Sequence, residues 1–444
     1  MQSNCSSSPS AVPRHVALAR SHASRREFLG GLSLAAGAGW SGAAAAPPKR
    51  VAAIVTEYIH NSHGDVIVGR LLHSHSMDGK GSWPPGSGWP NLKLVSMHVD
   101  QKHPRDTSER LSQEHGFLLA GSIEQALTLG GKTLAVDGVL LIGEHGKYPL
   151  SDTGQIMYPR RRFFEETAAV FRKSGRSVPV FTDKHLAWNW SDAKWMYDTA
   201  RELGVPLMAG SSVPGGWRHP AVEMKQGAPA TEAVGLSYGP LEGYGFHGLE
   251  ALQAISERRR GGESGVAAVQ LVQGPEVWEE LRRGRCSREV FQAAVDARET
   301  KKRFKKTFEV QVRTPAGFFI EHCDGFKSVL IHDPKDGHNE WIVAWEEQGR
   351  KDRPATAFWT QEERPLGHFG FLVQGIEQMI FTGKPTWPVE RTLLTTGILA
   401  AAFQSRQQGG RQLDTPHLAA IRYQPTFTWK APVEPMKGRP LPGM

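Results

Sequence analysis

Three cysteines in 444 residues are too few for a disulfide framework. Cys5 falls in a segment expected to be removed, which leaves Cys286 and Cys323 as either one disulfide or two free thiols. There is no Cys-x-x-Cys and no Cys/His spacing of zinc type, so a structural zinc site is excluded. No run reaches about 18 uncharged apolar residues, so no membrane span is expected. The net charge is +8, yet the basic residues are scattered. The densest runs, Arg160–Arg162, Arg258–Arg260 and Lys301–Lys306, lie beside acidic residues and read as solvated faces. They form no aromatic-interleaved platform, and nucleic acid is not an expected partner. Internal repeats are lacking too.

What the chain does have is bulk. Its length suits two domains, and 39% hydrophobic with 22% charged residues is the composition of a globular protein. The 48 glycines and 29 prolines call for many turns and long loops, of which Gly79–Pro90 is the clearest. At the N-terminus, Ser24-Arg25-Arg26-Glu27-Phe28-Leu29 precedes a mildly apolar, glycine-rich run from Gly30 to Trp40. The small residues Ala43 to Ala46 follow, before Pro47-Pro48. Paired arginines, a short apolar region and a small-residue cleavage site make residues 1–46 a twin-arginine signal peptide. The mature protein is therefore expected to be periplasmic or otherwise exported.

From Val51 the pattern alternates. Apolar runs at 51–55, 92–99, 136–142, 178–182 and 205–209 read as buried strands. Helical patterns lie between them at 63–73, 121–129, 161–173 and 191–204, with Ser122 and Ser191 as caps. Strand–helix alternation predicts a parallel sheet covered on both faces, here an N-terminal Rossmann-like domain over residues 50–210. Residues 211–432 group differently. Strands are predicted at 232–240, 266–274, 307–313, 317–322, 326–332, 341–346 and 356–359. Helices are predicted at 248–259, 276–281, 288–297, 371–382 and 390–406. That grouping predicts a C-terminal α+β domain with a mostly antiparallel open sheet. The fold class is α/β overall.

Three ordered stretches resemble the Gfo/Idh/MocA family. Val180-Phe181-Thr182-Asp183-Lys184-His185-Leu186-Ala187 is similar to that family's Glu-Lys-Pro-Leu-Ala motif, and a helix and Pro206-Leu207-Met208-Ala209-Gly210 follow as they do there. Gly245-Phe246-His247-Gly248-Leu249-Glu250 is similar to its Gly-x-His-x-x-Asp. Phe371 to Pro385, then Pro388-Val389-Glu390 and a helix to Arg406, resembles its closing helix pair. The resemblance implies a Rossmann domain joined to a domain whose open sheet mediates homo-oligomers. It implies oxidation or reduction of a sugar or polyol hydroxyl by NAD or NADP. It also admits an NAD-dependent glycoside hydrolase or lyase, or a cofactor-less binding protein derived from the fold.

Hydroxyl oxidation needs a proton acceptor and a donor or positive group beside the oxygen, tasks that a Lys and a His share. Lys184, just past a strand's carboxyl end, and His247, across the cleft, are the catalytic candidates. The family's assisting acid four residues before this histidine is Gly243 here, with Glu242 beside it. The cofactor side departs further. A glycine-rich turn lets backbone amides approach a pyrophosphate. Here the turn is Thr56-Glu57-Tyr58-Ile59-His60-Asn61-Ser62-His63-Gly64. Asn61, Ser62 and Gly64 are its candidate phosphate contacts. Asp100, at the end of the second strand, would bind the adenosine ribose and favour NAD over NADP. Glu144 and His145, in the loop after the 136–142 strand, and Asp183, next to Lys184, complete the cofactor-binding candidates. His60, His63, Asp100, Glu144 and His145 lack fixed ligand spacing, so no metal is expected. Tryptophans at 83, 89, 188, 190 and 217 offer faces for sugar rings.

Overall fold

A computed structural model describes residues 47–75, 77, 90–299, 306–335, 338–425, 429–433 and 439. The proposed signal peptide, most of the Gly79–Pro90 loop with Trp83 and Trp89, and the 301–305 part of one basic run lie outside the described residues. The first sheet has six strands: β1 (Lys49–Val55), β2 (Leu92–Val99), β3 (Leu118–Ala120), β4 (Gly138–Ile142), β5 (Val180–Asp183) and β6 (Leu207–Gly210). Their order is β3-β2-β1-β4-β5-β6 and every pairing is parallel. The order reverses between β1 and β4, and open parallel sheets bind ligands beyond the strand ends at such a point.

Five helices connect these strands: α1 (His63–His73), α2 (Ser108–His115), α3 (Ile123–Thr128), α4 (Arg160–Ser174) and α5 (Trp190–Glu202). Side chains cap three of them. Ser62 accepts from the Asp65 amide at α1, Ser122 from Gln125 at α3, and Asn189 from Asp192 at α5. The α5 cap is a correction, because Ser191 was expected there. Its hydroxyl instead donates to Asn189 Oδ1 at 2.7 Å, one step inside the helix. α2 and β3 carry no readable signal: α2 buries only Ser108 and Leu111, and β3 is a three-residue edge strand.

The second sheet has eight strands: β7 (Trp217–His219), β8 (Ala230–Tyr238), β9 (Val266–Gln273), β10 (Ala316–His322), β11 (Lys327–Asp333), β12 (Trp341–Glu347), β13 (Ala355–Trp359) and β14 (Leu413–Asp414). Its pairings are antiparallel except β8 with β11. The accompanying helices are α6 (Leu241–Ser256), α7 (Glu276–Arg282), α8 (Arg288–Asp296), α9 (Phe308–Gln311), α10 (His368–Thr382), α11 (Val389–Gln407) and α12 (Pro416–Ala419). Residues 307–313 were expected as a strand and hold α9 instead. Period-two alternation would bury Phe308, Val310 and Val312 together. Only Phe308 and Val312, four apart on a helical turn, are buried, while Val310 is 54% exposed. α6 starts seven residues before its expected position because Gly243, Gly245 and Gly248 mask its period. Gly248 is needed there: a Cβ would stand 2.7 Å from the Ser237 side chain, so only glycine lets α6 press onto β8.

Both faces of the second sheet are covered. α6 takes one face, with Phe246, Leu249 and Leu252 in its core. α7, α8 and α9 take the other, where Val277, Val290, Phe291 and Phe308 meet Leu236, Phe319, Ile331 and Ile342. α10 returns to the first sheet, seating Phe369, Leu372, Val373 and Ile376 against Val51, Ala53, Val55 and Ile142. α11 packs among α5, α6 and β9. Among the described residues no helix is long and apolar enough to cross a membrane. Cys286 and Cys323 are free thiols. Phe291→Ala should lower unfolding stability by about 3–5 kcal/mol in denaturant titration. A loss under about 1 kcal/mol would mean that α8 is not seated as described.

Candidate functional site

The carboxyl ends of β1, β4 and β5 open onto a cavity of about 270 Å³. Four residues that line it, Asn61, His145, Lys184 and Leu366, have left-handed backbone conformations, with φ of +62°, +69°, +59° and +54°. Only three other non-glycine residues among those described share that conformation. Left-handed φ is costly for side-chain-bearing residues and persists where the surroundings enforce it, which is characteristic of functional sites. At Lys184 the enforcement is visible: its amide donates to Gly210 O at 3.2 Å, which turns the chain out of β5 and the side chain into the cavity.

Lys184 is 3% exposed. Its Nζ lies 3.1 Å from Glu144 Oε1, 3.2 Å from His63 Nε2 and 3.3 Å from His247 Nε2. An ammonium has three N–H donors and needs three acceptors when buried. It finds them on the loop after β4, on α1 and on α6. Glu144 also takes Arg160 Nη2 at 3.3 Å, and its amide donates to Thr56 Oγ1 at 3.1 Å. Burial alone would raise the Glu144 carboxyl, but Lys184, His63, Arg160 and His145 outweigh it and hold the group well below the usual carboxylate range. His247 is the converse. Burial, then Lys184 and His63, push its pKa well below that of a free imidazole, so it is neutral at neutral pH. Its Nδ1 lies 2.6 Å from Ser211 Oγ, which also accepts from the Val213 amide at 3.0 Å. His145 is likewise lowered by burial.

Of the predicted site residues, Lys184, His247, Glu144 and His145 come together in the cavity. Asp183 stands behind them, its Oδ2 2.7 Å from His63 Nδ1. Asn61 reaches the cavity rim, but its amide donates to Asp65 Oδ2 at 2.9 Å and its Oδ1 accepts from Arg364 at 3.0 Å. The Ser62 hydroxyl is the α1 cap. Gly64 makes its close approach to its own loop, where a Cβ would stand 3.2 Å from Glu57 O. Asp100 is not in the cavity; Arg162 holds one of its oxygens at 2.6 Å and Tyr148 the other at 2.7 Å. Gln101 and Lys147 exchange two hydrogen bonds beside that pair, so the loop after β4 is tied to the end of β2. Glu242 does not assist His247. It accepts from the Ile156 amide at 3.0 Å and faces His185 at 3.6 Å.

Sequence reasoning missed several residues of the cavity wall. His63 was noted only among dispersed metal candidates, of which His60 and Asp100 turn away. No metal-holding cluster occurs among the described residues. Tyr244 and Trp341 form an aromatic wall, their rings 5.9 Å and 5.6 Å from that of His247. Glu362 and Leu366, from the segment before α10, and Phe369, in the first turn of α10, also line the cavity. No motif announces these positions; His63 alone had a cue, being the first residue after a helix cap.

Glu144→Gln should leave the Lys184 charge buried without its anion, at a cost of about 3–5 kcal/mol near neutral pH. The folded-state carboxyl is depressed, so its contribution is present above the ordinary carboxylate value of about 4.3 and is lost as the pH falls below it. The stability gap between wild type and Glu144→Gln, followed by thermal unfolding across pH, should therefore be widest near pH 7 and shrink below about pH 4.3. A gap independent of pH would remove the ion pair from the account.

No family model matches this chain, and no curated protein matches it in sequence. Solved structures do. GenD2 from gentamicin A biosynthesis, in complex with NAD, superposes over 83% of this chain and 96% of its own, at 14% identity and TM-score 0.51. Myo-inositol dehydrogenase from Lactobacillus casei, in complex with NAD(H) and myo-inositol, covers 83% of this chain and 97% of its own, at 11% identity and TM-score 0.51. With a six-stranded parallel sheet, a mixed eight-stranded sheet and a closing helix pair that spans both, this chain has the fold of the Gfo/Idh/MocA oxidoreductases.

Proposed function

We propose that this cleft oxidises or reduces a hydroxyl group of a sugar or polyol, with a pyridine nucleotide as hydride partner. One observation carries the reading: a buried lysine with three acceptors at 3.1–3.3 Å, inside a cavity at the switch point of this fold. Lys184 is the group for the substrate oxygen, because a positive N–H donor stabilises the charge that develops there. His247, held neutral, keeps one Lys184 N–H aligned. The faces of Trp341 and Tyr244 suit the apolar side of a sugar ring, and Glu362 offers acceptors for its hydroxyls. Fold neighbours that hold NAD and myo-inositol support the same substrate class.

A dinucleotide meets two different environments. The cavity end has room and polar partners. The turn before α1 is taken by the chain itself: Asp65 Oδ2 accepts from the Asn61 amide and from Arg364 at 2.9 Å, placing a carboxylate and a guanidinium where a pyrophosphate would lie. The pyrophosphate half therefore does not fit the turn as folded; binding requires Arg364 to leave Asp65. Asp100 would favour NAD over NADP once Arg162 and Tyr148 release it. The occupied turn favours a second reading, a cofactor-less cleft that binds sugar-like ligands. The Arg25-Arg26 segment supports export by the twin-arginine route in either case.

The deciding measurement is the nucleotide content of protein purified from cytoplasm, read by absorbance and mass after denaturation. Stoichiometric NAD or NADP, or a rise in Tm on adding either, is expected. Lys184→Met should then lose turnover of a polyol panel by about 10²-fold or more. Neither release nor stabilisation would sink the redox reading and leave the cofactor-less one.

A further inference from the structure

The two histidines flanking Lys184 are not equivalent. Lys184 donates to Nε2 of each, at 3.2 Å for His63 and 3.3 Å for His247, so each ring carries its proton on Nδ1. His63 Nδ1–H then donates to the Asp183 carboxylate at 2.7 Å, and that carboxylate is 1% exposed. His247 Nδ1–H donates to the Ser211 hydroxyl at 2.6 Å. A proton arriving at Nε2 makes an imidazolium in either case. The Lys184 cation stands beside both rings, but at His63 a buried carboxylate stabilises the imidazolium, whereas at His247 only a hydroxyl does. Carboxylate support is what makes a histidine an effective base in hydrolytic triads. His63 also lines the cavity, is 15% exposed, and is fixed by the edge of Phe369 with ring centroids 5.0 Å apart.

We propose that the Asp183–His63 pair is the general base of this cleft, with His63 Nε2 receiving the hydroxyl proton of the bound substrate. The proposal rests on the reading that a hydroxyl-bearing substrate binds here. In the step, the O–H bond breaks and an N–H bond forms at His63 Nε2. The electron pair stays on oxygen, and Lys184, released from His63, turns that N–H onto the alkoxide. Asp183 keeps its charge and its hydrogen bond throughout. The groups facing His63 are Asp183 at the end of β5, Lys184 just past it, Glu144 and His145 after β4, His247 on α6 and His368 on α10. Only the two carboxylates favour the imidazolium.

The test needs neither substrate nor nucleotide, so its failure is separable from failure of the redox reading. Diethyl pyrocarbonate acylates only unprotonated imidazole, and peptide mass spectrometry of the full-length chain gives the rate at each histidine across pH. His63 should label faster than His247, and its rate should fall on acidification. In Asp183→Asn that fall should move to lower pH by about one unit or more, and Asp183→Glu should recover much of the difference. His60, 69% exposed on its side chain, is the internal reference and should be unchanged. Lys184→Met, which removes the neighbouring cation, should move the fall to higher pH. This gives a second reading if Asp183→Asn does not fold. Faster labelling of His247, or a His63 profile unmoved in both variants while His60 is constant, would overturn the proposal.

Discussion

The site depends on one buried ammonium. Lys184 leaves β5 in a backbone conformation that a lysine seldom adopts, and its charge has almost no access to water. Such a group survives folding only if every N–H is matched, and the three acceptors come from three separate elements of the chain. Glu144 fixes the loop after β4, His63 fixes the start of α1, and His247 fixes α6 against the first sheet. The cavity is the space left when those three loyalties are satisfied at once. Because its walls converge on a charge, the geometry is enforced by electrostatics as well as by packing.

The same logic explains the unusual turn before α1. A helix N-terminus attracts negative charge, and in a glycine-rich turn that charge comes from a ligand. Here Asp65, inside the first helical turn, accepts from the Asn61 amide, and Arg364 balances the carboxylate from across the molecule. The chain has internalised an interaction that the fold ordinarily leaves open. Asp100 is similar: its carboxylate is at the expected strand end, yet Arg162 and Tyr148 employ it to hold down the loop that carries Glu144.

Much of the architecture was legible. Long apolar runs such as Leu92–Val99 and periodic helices such as His63–His73 stand out because burial on a sheet face or a helix stripe imposes a period on the sequence. Elements without that period were missed: polar α2, the edge strand β3, and the glycine-rich start of α6. At 307–313 two periods competed, and packing of Phe308 beside Trp278 and Phe291 decided for the helix. For the site, Lys184, His247, Glu144 and His145 could be found because they sit at strand ends or in family-like motifs. Their partners could not. That Ser211 holds His247, and that Glu242 turns to His185 instead, depends on side-chain directions that neighbouring residues in the sequence do not encode.

The bridge from Arg364 to Asn61 and Asp65 joins positions some three hundred residues apart. A ribosome delivers the first sheet, Lys184 included, long before it delivers Arg364, Leu366 and Phe369. Until that late segment arrives, the wall beside His63 is missing and the first sheet lacks α10 over its apolar face. The cleft is thus completed late in synthesis, and a chain truncated before residue 369 would carry Lys184 without that wall. The order of assembly places an enclosed pocket only in a chain made past residue 369.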